Sequence, residues 1–246
     1  MDIQKTACFD HKTQTILGPY SKLFVILARG LFSKWKQPIF YSFDFYLSKE
    51  FYSDLIVKLA NYNMIVVGTT CDLGATNRKF LNEMQISPEH SFWTHPQLNT
   101  PIFFFADIPH MLKLMRNHFL DTGFVLENGT TVTKEALFHL IQKEDTDLKC
   151  CFKLTLGHLT VFGVERQRVR LAAQLFSSTV ANSLKEFYPK LEELANFIQK
   201  IDNFFDVFNS RSENDCRKFL KSGYGIYTAE QNLALDTMYH LCSTMR

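Results

Sequence analysis

No window of this 246-residue sequence approaches 18 consecutive apolar residues, so no membrane-spanning helix is expected. The opening stretch MDIQKTACFDHK carries no apolar run, and a secretory signal is not expected either. The six cysteines (Cys8, Cys71, Cys150, Cys151, Cys216, Cys242) form no CxxC and no paired CxxC…HxxxH pattern, which argues against structural zinc. They read as reduced thiols of the cytosol or nucleus, and the sequon at Asn128-Gly129-Thr130 is then idle. There is no GxxxxGK[ST], no GxGxxG, no HExxH and no GxSxG. Walker-type phosphate loops, dinucleotide folds, zinc proteases and serine hydrolases of the elbow type therefore find no support. A large charge of one sign is missing as well. Lys and Arg number 27 against 25 Asp and Glu, a net +2 that does not announce a nucleic-acid partner.

What is present is the composition of a folded chain. Apolar residues are 46% and charged residues 21%, which excludes disorder for the bulk of the sequence. The length suits one large domain or two modest ones, and a chain of this size buries roughly 70–75% of its unfolded surface. Phenylalanine is abundant at 24 copies, some clustered as at Phe103–Phe105 and Phe204–Phe205. Charge is uneven along the chain. Between Lys149 and Lys190 seven basic residues face Glu165 and Glu186, a local +5 that leaves −3 elsewhere. Such a stretch attracts phosphates or simply forms a solvated helix face.

The first 107 residues alternate between strand and helix patterns. Lys22–Phe32 and Pro38–Phe45 read as paired strands, and Ser48 caps a helix carrying Phe51, Leu55 and Leu59 through Ala60. Met64–Thr70 and Pro101–Ala106 read as strands buried on both faces, because their apolar residues run on without alternation. Thr76–Met84 reads as a short helix between them. The region is an α/β layer with a mixed sheet and flanking helices. From 108 onward the periodicity is helical. Ile108-Pro109 opens a helix, a turn at Asn128-Gly129 marks a small hairpin, and further helices span Thr133–Lys143, Val164–Phe187, Lys190–Asn209 and Glu230–Met245. A compact body with a handover near 107–108 is expected, without a flexible linker.

Two local constellations could carry chemistry. Asp72 stands at the carboxyl end of an apolar strand, where open α/β sheets place ligand contacts, with Gly74 to turn the chain and Asn77 as a second oxygen. The plainer alternative makes Asp72 a cap for the helix that follows. Asp107 precedes a helix carrying His110, Lys113, Arg116 and Asn117, with His110, Lys113 and Asn117 on one face, an arrangement that suits phosphate or merely a polar outer surface.

Taken together, GLFSKWKQPIFYSFD (30–44), CDLGATNRKFLNEMQIS (71–87), FFFADIPHMLKLMRNHFLDTGF (103–124), KLTLGHLTVFGVERQRVRLAAQLFSSTVA (153–181) and FFDVFNSRS (204–212) resemble the P-element-type transposases, including their THAP-domain relatives. The resemblance runs over nearly the whole chain. It implies an RNase H-like domain over 1–107 and a mostly helical GTP-binding insertion over 108–246. In that family three acids hold two magnesium ions for DNA cleavage and strand transfer at transposon ends. Asp72 matches the second of these acids and is the catalytic and metal-binding residue that the resemblance implies. The first lies in a string like FDEM, and Met1-Asp2-Ile3 stands just downstream of that position. The last lies on a helix beyond Arg246. One acid of three is therefore expected here, together with loss of the opening strand, an open edge along Lys22–Phe32, and an oligomeric or poorly soluble chain. The zinc-binding THAP ligands are also missing.

One carboxylate cannot serve two magnesium ions, so DNA cutting is not expected. The insertion retains more. The family's nucleotide-contacting strings place Lys153, Val169, Ser177, Asp206 and Asn209 at a GTP site. In that setting Lys153 offers charge to phosphate or ribose oxygens, Val169 packs on the base, and Asp206 accepts from guanine N1–H and N2–H₂. A helix-end cap is the alternative for Asp206, and no NKxD guanine signature is present. The resemblance implies a nuclear protein with guanine nucleotide and DNA as partners. An adapted non-enzymatic DNA- or protein-binding module is the second reading.

Overall fold

The computed structural model describes residues 2–31, 33–143, 150–210 and 212–246. Met1, Phe32, Lys149 and Arg211, which belong to segments named in the sequence analysis, lie outside them. The chain forms two compact units, Met1–Phe105 and Ala106–Arg246, so the boundary falls slightly ahead of the handover expected at 107–108.

The first unit opens with an antiparallel meander, β1 (Asp2–Asp10), β2 (Thr15–Arg29) and β3 (Lys36–Phe43), in the order β1-β2-β3. A strand therefore precedes Lys22, but it pairs only as far as Lys22, and among the described residues Leu23–Arg29 pairs with β3 alone. Asp2 pairs with Lys22 and Asp10 with Thr15, so β1 runs along the first half of β2. The turn holds because Asp10 accepts from the Lys12 N–H at 2.9 Å and from the Thr13 hydroxyl at 2.8 Å, while Gln14 takes φ +54°. On the other side β3 pairs from Leu23↔Phe43 to Arg29↔Lys36. The register slips between Ile26 and Leu27, opposite Pro38, which has no N–H to contribute to the ladder.

Helix α1 (Lys49–Asn61) begins as the sequence indicated, with Ser48 Oγ accepting the Phe51 N–H at 3.2 Å. Then come β4 (Gly68–Cys71), α2 (Ala75–Glu83), β5 (Phe92–Thr94) and β6 (Pro101–Ala106), with sheet order β4-β6-β5. Tyr52, Ile56 and Leu59 of α1 and Phe80 of α2 meet Ile102 and Phe104 of β6 in one core. The expectation that β6 is buried on both faces fails. Ile102 and Phe104 point inward, whereas Phe103 and Phe105 stay 42% and 53% exposed. Strand geometry forces this alternation, and helices α1 and α2 cover one face of β6.

The second unit comprises α3 (Ile108–Asp121), the hairpin β7 (Phe124–Val125) and β8 (Thr131–Val132), α4 (Glu135–Lys143), α5 (Leu156–Leu159), α6 (Val169–Leu175), α7 (Ser178–Phe187), α8 (Glu192–Phe208) and α9 (Thr228–Thr244). Short 3₁₀ turns at Gly163–Gln167 and Phe219–Lys221 connect them. The core gathers the phenylalanines: Phe119, Phe176 and Phe197 pack with ring centroids 5.6 to 6.2 Å apart, among fully buried Leu137, Leu140 and Leu184.

The single helix read over Val164–Phe187 is broken. Phe176 leaves helical geometry at ψ 61°, and Ser177 is extended. The Ser177 hydroxyl accepts the Val180 N–H at 3.5 Å and donates to the Gln174 carbonyl at 3.0 Å, a local alternative to continuing the helix. This break turns both serines of the pair toward one cleft.

Candidate functional site: a cleft in the helical unit

A cleft of about 260 Å³ opens in the second unit between the α6–α7 break, the C-terminal half of α8 and the segment leading to Lys221. Lys153, Ser177, Asp206 and Asn209, four of the five residues expected at a nucleotide site, line it. Val169 does not. It starts α6 and packs half-buried against the core. Each lining residue has a local reason for its place. Ser177 is the N-cap of α7, and Asn209 is the C-cap of α8, its N–H reaching back to Phe205 and Asp206 carbonyls. Lys153 is exposed, with Nζ 5.3 Å from the centre of the Phe152 ring.

Asp206 has a close companion that sequence reasoning passed over. Asp202, one helical turn earlier on α8, is 6% exposed and Asp206 is 4% exposed. Lys218 Nζ lies 2.7 Å from Oδ2 of each carboxylate, and Lys221 Nζ lies 3.2 Å from Asp206 Oδ1. Burial pushes the Asp206 carboxyl above its ordinary range, and the neighbouring Asp202 adds to this against the pull of the two lysines. Burial works to lower the Lys218 ammonium, but its hydrogen bonds to Asp202 and Asp206 prevail and raise it. The two acids differ in duty. Asp202 Oδ2 also accepts the Ser178 N–H at 3.0 Å and so anchors the first turn of α7. The Asp206 carboxylate, among the described residues, meets the ammonium groups of Lys218 and Lys221. Each of its oxygens takes one ammonium, which leaves a second lone pair on each.

In the first unit Asp72 follows β4 directly and is exposed. Its Oδ1 accepts the Gly74 N–H at 2.9 Å and the Asn77 side-chain amide at 2.8 Å, so Asn77 presents nitrogen rather than a second oxygen. Burial, with Asp72 adding, pushes the Cys71 thiol beside it up to about 11, which disfavours the thiolate. Among the described residues no three His, Cys, Asp or Glu side chains group together as metal ligands. A carboxylate that already accepts two N–H groups, with no other acids grouped beside it among the described residues, is a donor set that does not fit a pair of magnesium ions.

In the α3 constellation the side chains are partly engaged within the unit. Arg116 is fully buried and donates to the Arg166 carbonyl at 2.8 Å and to Asn117 Oδ1 at 2.9 Å. Lys113 reaches Gln167 at 3.3 Å, and the Asp107 side chain makes no capping bond.

Comparison with known proteins bears on both units. A family model described as "TNP-like, GTP-binding insertion domain" matches residues 109–222, and one described as "TNP-like, RNase H N-terminal domain" matches residues 17–85. "Transposable element P transposase" of Drosophila melanogaster is 32% identical over 247 residues, covering 96% of this chain. The chain is a relative of the P-element transposases. "DNA transposase THAP9" of Homo sapiens is 26% identical over 210 residues, covering 78% of the chain. Among solved structures, the "Drosophila P element transposase strand transfer complex" superposes with a TM-score of 0.91 at 30% identity over 98% of the chain. This transposase relative spans 32% and 23% of the length of those two proteins and 56% of the solved chain. Its first unit is thus RNase H-like, and the cleft lies within the region matched to the GTP-binding insertion.

The residues missed at the cleft differ in how they could have been found. Asp202 sits four residues before Asp206, a spacing that was open to inspection. Lys218 and Lys221 arrive from an irregular segment that offers no periodicity to read.

Proposed function

We propose that this chain binds guanine nucleotide in the cleft beside α8, within a P-element-type DNA transposition system, and that it does not itself cut DNA. The supporting observation is convergence. Residues 153, 177, 206 and 209, far apart in sequence, line one cleft whose charged side chains are Lys153, Lys218 and Lys221 against Asp202 and Asp206. That volume is below the ~300–1,000 Å³ of ordinary ligand pockets, which suits a base and ribose with the phosphates in the open mouth. Asp206 would take the guanine N1–H and N2–H₂, and Lys153 would face the phosphates. Bound GTP would supply a charged, base-specific ligand rather than a reaction. The sequence carries no Walker lysine, and the cleft is expected to hold nucleotide without hydrolysing it.

The donor set at Asp72 supports the second half of the proposal. Transposon-end DNA is the partner, the nucleus is the compartment, and the chain acts there as a nucleotide-dependent binding module. Titration of the full chain with GTP, ATP and XTP tests the first half. Wild type should prefer GTP, and Asp206→Asn, which turns an acceptor into a donor, should lose about 1–3 kcal/mol for GTP and gain XTP. Equal affinity of wild type for GTP and ATP refutes the assignment. Magnesium-dependent nicking of duplex DNA that Asp72→Asn abolishes refutes the second half.

A further inference from the structure

The cleft holds one more group whose orientation is fixed by its neighbours. Gln174, half-buried near the end of α6, lines the cleft. Behind it lies His158, buried at the C-terminal side of α5. His158 Nδ1 lies 3.2 Å from the Thr155 backbone nitrogen, which can only donate, so Nδ1 is an acceptor. In the neutral imidazole the proton then sits on Nε2, and Nε2 faces the Gln174 side chain at 3.1 Å. A donor there fixes the amide: Gln174 Oε1 accepts from His158, and its NH₂ is turned away from the histidine. No described residue takes a hydrogen bond from that NH₂.

We infer that Gln174 is a specificity-determining residue for the base, donating its NH₂ to guanine O6, and that His158 is the positioning residue that holds the amide in this sense. The inference rests on the guanine-nucleotide reading above and deepens it. The Watson–Crick edge of guanine presents one acceptor, O6, beside two donors, N1–H and N2–H₂. A carboxylate alone matches the donors and leaves O6 facing nothing. An amide donor in the same cleft as Asp206 completes the complement. Adenine carries an amino group where guanine has O6, so the amide NH₂ would meet a second donor.

Calorimetric titration of the full chain with GTP, ITP, ATP and inorganic tripolyphosphate tests this. ITP keeps O6 and N1–H, and tripolyphosphate reports the phosphate contacts alone. Gln174→Glu, an acceptor of the same length, should weaken GTP and ITP together by about tenfold or more while ATP gains and tripolyphosphate is unchanged. Gln174→Leu should lower the GTP-over-ATP ratio without the gain for ATP. His158→Asn should lower that ratio too with tripolyphosphate affinity unchanged, a pattern that a merely structural histidine would not give. Wild type indifferent between GTP and ATP overturns this inference together with the guanine reading. Wild type that prefers GTP, with the preference intact in both Gln174 variants, overturns this inference alone. Loss of tripolyphosphate binding in step with GTP overturns it as well, because the damage would then not be at the base.

Discussion

Replacing Lys218 by Met keeps the aliphatic stem and removes the one ammonium that Asp202 and Asp206 share. Both carboxylates are buried, and stripping the partner from a buried ion pair costs ~3–5 kcal/mol because a charge is left uncompensated. Two features moderate this. The Lys218 side chain is 34% exposed, so solvent already screens some of the interaction, and Lys221 remains 3.2 Å from Asp206. A loss of about 2–3 kcal/mol is expected, which at ~2–4 °C per kcal/mol lowers the melting transition of the helical unit by about 5–10 °C. The loss depends on pH in a defined sense. Burial already holds the folded-state pKa of Asp206 above its unfolded value, and removing Lys218 raises it further. A raised carboxyl pKa penalises the folded state at neutral pH, and the penalty disappears as pH falls from the folded pKa toward the unfolded one. The gap between wild type and variant should therefore be widest near pH 7.5 and narrow on acidification toward the ordinary carboxylate range. Differential scanning calorimetry of the chain, resolving the transition of this unit, measures it. A gap that stays constant with pH, or no gap at pH 7.5, refutes the reasoning.

Three other outcomes are expected. Ser177→Ala removes the cap of α7 and should cost about 1 kcal/mol, measured by urea unfolding, and the same variant should bind GTP more weakly because Ser177 lines the cleft. Phe197→Ala opens a cavity among Phe119, Phe124 and Phe176 and should cost ~3–5 kcal/mol; a loss under about 1 kcal/mol would mean that the aromatic cluster is not the core of the unit. Asp72→Ala removes acceptors for Gly74 and Asn77 and should destabilise the first unit by about 1 kcal/mol while leaving GTP affinity unchanged, as hydrogen exchange and nucleotide titration together would report.

The helices that carry strong local signals were readable in the amino-acid order. Ser48 with apolar residues at 51, 55 and 59 marks α1, and Ile108-Pro109 opens α3. Strand β1 was not readable, because DIQKTACFD has no sustained alternation and its partner lies across a turn fixed by side-chain hydrogen bonds. The apolar run PIFFFA misled in another way: hydrophobicity alone does not say that a second face is covered, and Phe103 and Phe105 are exposed. The break at Phe176–Ser177 was hidden inside a periodic stretch, although a serine pair is a standing offer of a cap. At the cleft the motif strings pointed to Lys153, Ser177, Asp206 and Asn209. They did not point to Gln174, Lys218 or Lys221, whose roles depend on neighbours that only folding brings together.

The shared ammonium of Lys218 also sets an order in which this site can be dismantled by mutation. Loss of Asp206 first removes one of two crowded negative charges and leaves Lys218 still paired with Asp202. Loss of Lys218 first leaves Asp202 without an ammonium and Asp206 with Lys221 alone, two buried carboxylates one turn apart on α8, which is the costlier first step. A lineage that gives up nucleotide binding would therefore shed the acid before the lysine. Descendants caught midway would keep Lys218 and Asp202 as a plain ion pair beneath a vacant place on the helix.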